Sequence, residues 1–178
     1  MSETMNVQLQ DQAGRAALRF ERLVPHPPER VWRALTEESE LDAWHPTPFA
    51  LKPEVGASIR FRPPDGVPDW PDGTVTACEP PRLLAHSWGE DSLRWEIEPH
   101  AEGSRLTLTH TFDDRLKAAR DAAGWHLCLD RLSAALEGRA SAAPAEAEGA
   151  PAGWLRLNSD YEQRFGIAPE QATPPPAA

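Results

Sequence analysis

Between Leu93 and Leu136 the spacing of apolar residues switches from every second position to a helical repeat, and this switch narrows the fold more than any other feature. Leu93–Glu98 (LRWEIE) sets Leu93, Trp95 and Ile97 on one face and Arg94, Glu96 and Glu98 on the other. Pro99–Ser104 reads as a turn. Arg105–Phe112 (RLTLTHTF) then sets Leu106, Leu108, His110 and Phe112 against Arg105, Thr107, Thr109 and Thr111. From Leu116 to Leu136 a helix is expected, with Trp125, Leu129, Leu132 and Leu136 on one stripe and Gly138 as its stop. Strands wet on one face and a helix with one apolar stripe must bury those surfaces against each other. Gly124 lies inside the predicted helix and costs about 1 kcal/mol there relative to alanine, so a kink or a close backbone approach is expected at that point.

The rest of the chain fits around this unit. Ala16–Val24 reads as a strand with Leu18, Phe20 and Arg22 pointing one way and Arg19, Glu21 and Leu23 the other. Pro28 opens a short helix over Glu29–Thr36, and Glu38–Trp44 forms a second helical turn that Pro46 and Pro48 stop. Short strands follow at Ser58–Arg62, Thr74–Cys78 and Leu83–Trp88, with a Pro/Asp/Gly loop over Pro63–Gly73. The expected organisation is a flexible N-terminus over 1–15, one domain over 16–138, a linker over 139–153, a helix over 154–166 and a disordered tail over 167–178. Trp154, Leu157, Tyr161 and Phe165 share a stripe, and the helix is expected to pack on the domain in cis rather than on a partner, because an exposed aromatic stripe invites aggregation.

Composition removes several function classes. The 178 residues carry a net charge of −10, which argues against nucleic acid and against an anionic membrane surface as partners. No apolar run has the length of a membrane span, and the polar N-terminus lacks the apolar region of a signal peptide. Cys78 and Cys128 have no metal-ligand or disulfide-framework spacing, so a reduced cytoplasmic protein with no metal and no cofactor is expected. There is no phosphate-binding glycine loop, no nucleophile elbow and no Cys–His pair. Glu96 and Glu98 fall on the outer face, and no catalytic carboxylate pair is visible.

The element order and several motifs resemble a known superfamily. Pro-Pro-Glu-Arg-Val-Trp-Arg-Ala-Leu-Thr at 27–36 with Leu41 and Trp44, and Val75 with Pro80-Pro81-Arg82-Leu83 and Trp88, resemble the activator-of-Hsp90-ATPase-homologue branch of the SRPBCC superfamily. So do Gly103–His110 (GSRLTLTH) and Gly124-Trp125 with Leu129, Leu132 and Leu136. The resemblance covers about residues 16–138, and Trp154–Gly166 is similar to a short C-terminal helix of many bacterial members. It implies an α+β helix-grip fold (START/Bet v 1-like): a curved antiparallel sheet wrapped around a long C-terminal helix, with two short helices after the first strand. Superfamily members hold hydrophobic small molecules between sheet and helix, some as enzymes and others as carriers or sensors.

The residues that would line such a cavity are Trp44, Phe61, His86, Trp88, Trp95, Leu108, His110, Phe112 and Trp125. The plainer reading of each ring is core packing. The expected function is binding of a small hydrophobic or aromatic molecule, with no assignable catalytic residue. Two alternatives stand beside it: a cyclase/aromatase-like enzyme using His110 or His86, and a module acting on an Hsp90-type chaperone. His126 is expected to be a surface residue, Cys128 an inert buried thiol, and a meander edge would permit a homodimer.

Overall fold

The computed structural model describes residues 5–45, 47, 49–61, 71–139 and 152–168. Among them run β1 (Asn6–Gln12), β2 (Arg15–Val24), α1 (Pro28–Thr36), α2 (Glu38–Leu41), β3 (Phe49–Ala50), β4 (Ser58–Phe61), β5 (Gly73–Glu79), β6 (Leu83–Trp88), β7 (Asp91–His100) and β8 (Gly103–Phe112). A single 3₁₀ turn over Arg115–Lys117 then leads into α3 (Ala118–Leu136), and α4 (Ala152–Phe165) follows. The strands form one antiparallel sheet in the order β1-β2-β8-β7-β6-β5-β4-β3. The long helix α3 lies across its inner face, which is the helix-grip arrangement the sequence resemblance implied.

The alternation along β7 and β8 decides which face is inside. Leu93, Trp95, Ile97, Leu106, Leu108, His110 and Phe112 are all buried, whereas Arg94 and Glu98 are exposed. In α3 the buried stripe begins with four alanines, Ala118, Ala119, Ala122 and Ala123, before Trp125, Leu129, Leu132 and Leu136. Small side chains at its start let the helix approach the sheet closely. Gly103 makes the tight link between β7 and β8. Its φ is 135°, and a Cβ there would lie 2.2 Å from the Val24 carbonyl oxygen, so the sequence has no freedom at that position.

Four expectations are corrected. Residues 1–15 were expected to be loose, but Asn6–Gln12 is an edge strand paired along β2, from Asn6 opposite Glu21 to Gln12 opposite Arg15. Its polar composition hid it: an edge strand needs few buried residues, and Val7 is the fully buried one here. The hairpin turn at Ala13–Gly14 has both φ values positive, 50° and 82°, which matches the strand twist. Second, the long helix begins at Ala118 rather than Leu116, because the Asp114 carboxylate accepts the Leu116 N–H and starts a 3₁₀ turn that leaves Leu116 exposed. Third, His126 is not a surface residue but bridges α3 and α4, as described below. Fourth, a Cβ on Gly124 would meet nothing within 4 Å, so no close approach explains this glycine. Gly124→Ala is therefore expected to stabilise the protein by about 1 kcal/mol, read as a rise in the denaturant midpoint at unchanged m-value.

Arg22 points inward, as the strand alternation suggested, although it is charged. Its guanidinium donates to the Leu129 carbonyl at 2.8 Å, to Ser133 Oγ at 2.9 Å and to Asp130 Oδ1 at 2.5 Å, which fastens β2 to the middle of α3. Beside this pair, His126 Nδ1 lies 2.8 Å from the Tyr161 hydroxyl of α4 and His126 Nε2 3.7 Å from Asp130 Oδ2, while Arg164 Nη2 donates to the Val7 carbonyl of β1 at 2.5 Å. Trp154 and Tyr161 are buried, so α4 packs on the domain through the stripe read from the sequence. The expected linker over 139–153 and tail over 167–178 lie almost wholly outside the described residues, as does most of the loop over Pro63–Gly73.

Candidate functional site

The inner face of the sheet, α3 and the turn after α2 converge on a cluster of rings. Trp44 is held by its own indole N–H, which donates to the Ala34 carbonyl of α1 at 2.9 Å. Its ring meets Trp95 of β7 edge-on at 5.7 Å between centroids, and Trp95 meets Trp125 of α3 at 5.7 Å. Trp125 meets Trp88 of β6 at 5.7 Å, and Trp88 meets Phe61 of β4 at 5.8 Å. Phe61 lies 6.4 Å from His86 and 5.4 Å from Phe49 of β3. The edge-to-face contacts among these, Trp44–Trp95, Trp95–Trp125, Trp88–Trp125 and Phe49–Phe61, add roughly 0.5–1.5 kcal/mol each beyond the area they bury. Leu108 completes the wall beneath, opposite Trp95 on one side and Phe20 on the other. Of the predicted lining residues, Trp88 alone is partly exposed; the other eight are buried.

His110 has a defined place beside this cluster. The Trp125 indole N–H donates to its Nδ1 at 3.2 Å, which leaves the ring proton on Nε2. That Nε2–H donates to Asp91 Oδ2 at 2.8 Å, and Lys117 Nζ donates to the same oxygen at 2.5 Å. Lys117 also lies 3.5 Å from Asp121 Oδ2 and 5.0 Å from the centre of the Phe112 ring, which in turn packs on His110 at 4.9 Å. Burial works against ionisation of Asp91, but the hydrogen bonds and charges of His110 and Lys117 outweigh it and hold the carboxyl below its ordinary value. Asp91, His110 and Asp121 have the ligand types and spacing of a cation site. The Lys117 ammonium already supplies the positive charge there, and the Nε2 that would have to ligate carries a proton.

Sequence reasoning missed a strongly perturbed group of the cluster, His45. His45 follows Trp44 and packs against Trp44, Phe49, Trp88 and Trp125, at centroid distances of 5.3, 4.8, 5.9 and 5.9 Å. Its Nδ1 lies 2.8 Å from the Thr47 carbonyl oxygen and 3.2 Å from the Thr47 nitrogen, whose N–H points at it. Burial, which the backbone hydrogen bond only partly offsets, pushes its pKa down to about 3, and His86 nearby pushes in the same direction. His86 donates through Nδ1 to the Ser87 carbonyl at 3.1 Å, and burial likewise lowers its pKa. Both imidazoles are therefore neutral at pH 7. The signal that existed for His45 was its position between the motif tryptophan Trp44 and Pro46, in a segment too short to show periodicity. Cys128 is buried and its thiol is pushed up to about 12 by desolvation, which fits the inert thiol expected.

A curved antiparallel sheet closed over a long helix, with an aromatic interior at the junction, defines a helix-grip domain. Residues 25–137 match the family described as activator of Hsp90 ATPase homolog 1-like protein, and the chain belongs to that family. No curated protein matches the sequence. Among solved structures, CalU16 from Micromonospora echinospora superposes with a TM-score of 0.74 at 19% identity, covering 93% of this chain and 94% of that one. A conserved protein of unknown function from Enterococcus faecalis, EF2215, gives 0.72 at 19% identity, with 93% of each chain covered. The product of gene BPP1335 from Bordetella parapertussis gives 0.63 at 27% identity, covering 92% and 95%. Among the described residues no helix is long and apolar enough to cross a membrane.

Proposed function

We propose that this protein binds a small hydrophobic or aromatic molecule between the inner face of the sheet and α3, without acting on it chemically. The observation that carries this reading is the convergence of Trp44, Phe49, Phe61, Trp88, Trp95 and Trp125 from separate elements on one aromatic interior. Membership of a family with this fold supports the reading. Trp88, half-buried at the outer side of the cluster, is the ring whose displacement opens a way in. We place the protein in the cytoplasm, with neither nucleic acid nor membrane as partner.

The cyclase/aromatase-like alternative needs a histidine free to exchange a proton with a ligand. At His110 both ring nitrogens are already engaged, by Trp125 and by Asp91, which weighs against it. The family description favours a second reading, stimulation of an Hsp90-type ATPase through protein contacts. Titration of tryptophan fluorescence with uncharged aromatic probes separates the two. Saturable quenching that is lost in Trp88→Ala is the expected result. A flat titration together with stimulation of the ATPase would move the chaperone reading to the front.

A further inference from the structure

Resting on that binding reading, we infer that Asp91 is a positioning residue of the site: it holds the β6–β7 turn against the start of α3 and, through His110, holds Trp125, and so sets how readily the ring cluster opens. Asp91 stands directly opposite Trp88 in the β6–β7 pairing, with only Gly89 and Glu90 between them, and Trp88 is the partly exposed ring of the cluster. By strand alternation its carboxylate shares the inner side of the sheet with Leu93 and Trp95. One oxygen, Oδ2, accepts from His110 Nε2 of β8 at 2.8 Å and from Lys117 Nζ, just ahead of α3, at 2.5 Å. The other ring nitrogen of His110 accepts the Trp125 N–H at 3.2 Å, and Trp125 lies 5.7 Å from Trp88. The two rings that must part for the cluster to open are therefore tied to one oxygen atom, Trp88 through its turn and Trp125 through His110.

Stability alone gives no reason for charges here. The side chains of Lys117 and Asp91 are each 20% exposed and that of His110 4%, and ionic groups withdrawn from water to this extent often contribute no more than apolar residues of similar volume. What they supply is one fixed arrangement, because charge-assisted hydrogen bonds are short and directional and two of them reach the carboxylate from separate elements. Another tie on the turn is weaker: Arg15 Nη2 donates to the Glu90 carbonyl at 2.8 Å from a side chain 33% exposed, where water competes for the same groups. Trp88 also rests on His45, Phe61 and Trp125, contacts that an aromatic ligand can replace. An apolar ligand offers nothing in place of the bonds to Asp91. Once the ligand is in and the turn is back those bonds reform, so their strength sets the rates of entry and exit rather than the final affinity.

Solvent exchange of the Trp125 indole proton in the full chain reads opening without any ligand, its resonance being the one absent from Trp125→Phe. Asp91→Ala is expected to speed this exchange about tenfold relative to the backbone amides of the β2–β8 pairing, which report global unfolding. Lys117→Met keeps the stem beside Phe112 and breaks one of the two bonds, so a smaller acceleration is expected, and it serves if Asp91→Ala does not fold. His110→Gln, whose amide accepts from Trp125 and donates to Asp91, is expected to keep exchange slow, whereas His110→Phe keeps a ring and loses the protection. Stopped-flow fluorescence with naphthalene is expected to show entry and exit accelerated together in Asp91→Ala and Lys117→Met, with Kd within about twofold of the wild type. Indole exchange or entry rates unchanged in both variants overturn this inference and leave hydrophobic binding standing. A weakened Kd at unchanged entry rates overturns it too, since Asp91 would then shape the bound state alone. No naphthalene binding in any variant overturns the binding reading, and indole exchange then decides whether Asp91 holds the cluster shut.

Discussion

Acidification from pH 6.5 towards pH 3 destabilises the wild-type protein steeply, and His45→Phe flattens most of that dependence. The His45 ring takes its proton at about 3 in the folded state, against an ordinary value of 6.5, chiefly because burial strips water from the charged form. Between those two values the unfolded chain binds more protons than the folded one, so stability rises with pH across this window. Its contribution is complete above pH 6.5 and is lost on the way down at about 1.4 kcal/mol per pH unit, roughly 5 kcal/mol in all. A domain of this size has a total stability of about 5–15 kcal/mol, so a single imidazole governs whether it stays folded in acid. His86, also lowered by burial, adds to the slope in the same direction. Asp91 acts in a different window: its depressed carboxyl loses its contribution only as pH falls through that lowered value. Urea midpoints measured at half-unit pH steps distinguish these groups. Parallel curves for the wild type and His45→Phe between pH 4 and 6.5 would show that His45 is not the titrating group.

Asp130→Ala is expected to cost about 3 kcal/mol, whereas Arg22→Met at the other end of the same ion pair costs within about 1 kcal/mol. The asymmetry follows from burial. The Arg22 side chain is 8% exposed and that of Asp130 is 49% exposed. Without Asp130, among the described residues a buried guanidinium keeps only the Leu129 carbonyl and the Ser133 hydroxyl, and its Nε has no partner there. Without Arg22, the carboxylate turns to water, and methionine fills the same length of apolar space between β2 and α3. Midpoints of chemical unfolding for the two variants check the order. A larger loss in Arg22→Met would mean that the guanidinium's hydrogen bonds to α3, rather than its neutralisation, hold the helix in place.

The parts of this fold that were legible in the sequence are those with a period. β7 and β8 announced their faces by strict alternation, and Trp125, Leu129, Leu132 and Leu136 announced the stripe of α3. β1 was hidden because an edge strand with a single fully buried residue carries almost no alternation, and its pairing with β2 is a tertiary fact. The inward Arg22 was legible from strand phase alone, but its partners, more than a hundred residues away, were not. Strand phase put Leu93, Trp95 and Ile97 of β7 on one face, as it did Leu106, Leu108, His110 and Phe112 of β8, whereas His45 and Phe49 sit in a turn and a two-residue strand, where no period exists to read. The Asp91–His110–Trp125 chain escaped for another reason. Asp91 looks like a turn residue in sequence, and only the β6–β7 and β7–β8 pairings bring it beside His110.

The position of β2 has a kinetic consequence. It lies between its hairpin partner β1 and β8, so Ala16 pairs with Phe112 across almost the whole length of the domain. The β7–β8 hairpin and α3 are local and can form early, but the β1–β2 hairpin has no sheet to join until β8 has been made. Closing a loop of that length is entropically expensive, and proteins dominated by such pairings fold in milliseconds to seconds rather than microseconds. On the ribosome the N-terminal hairpin must therefore wait for most of the chain. The sparse hydrophobicity of β1, which made it look like a tail, keeps that strand from finding the wrong partner meanwhile.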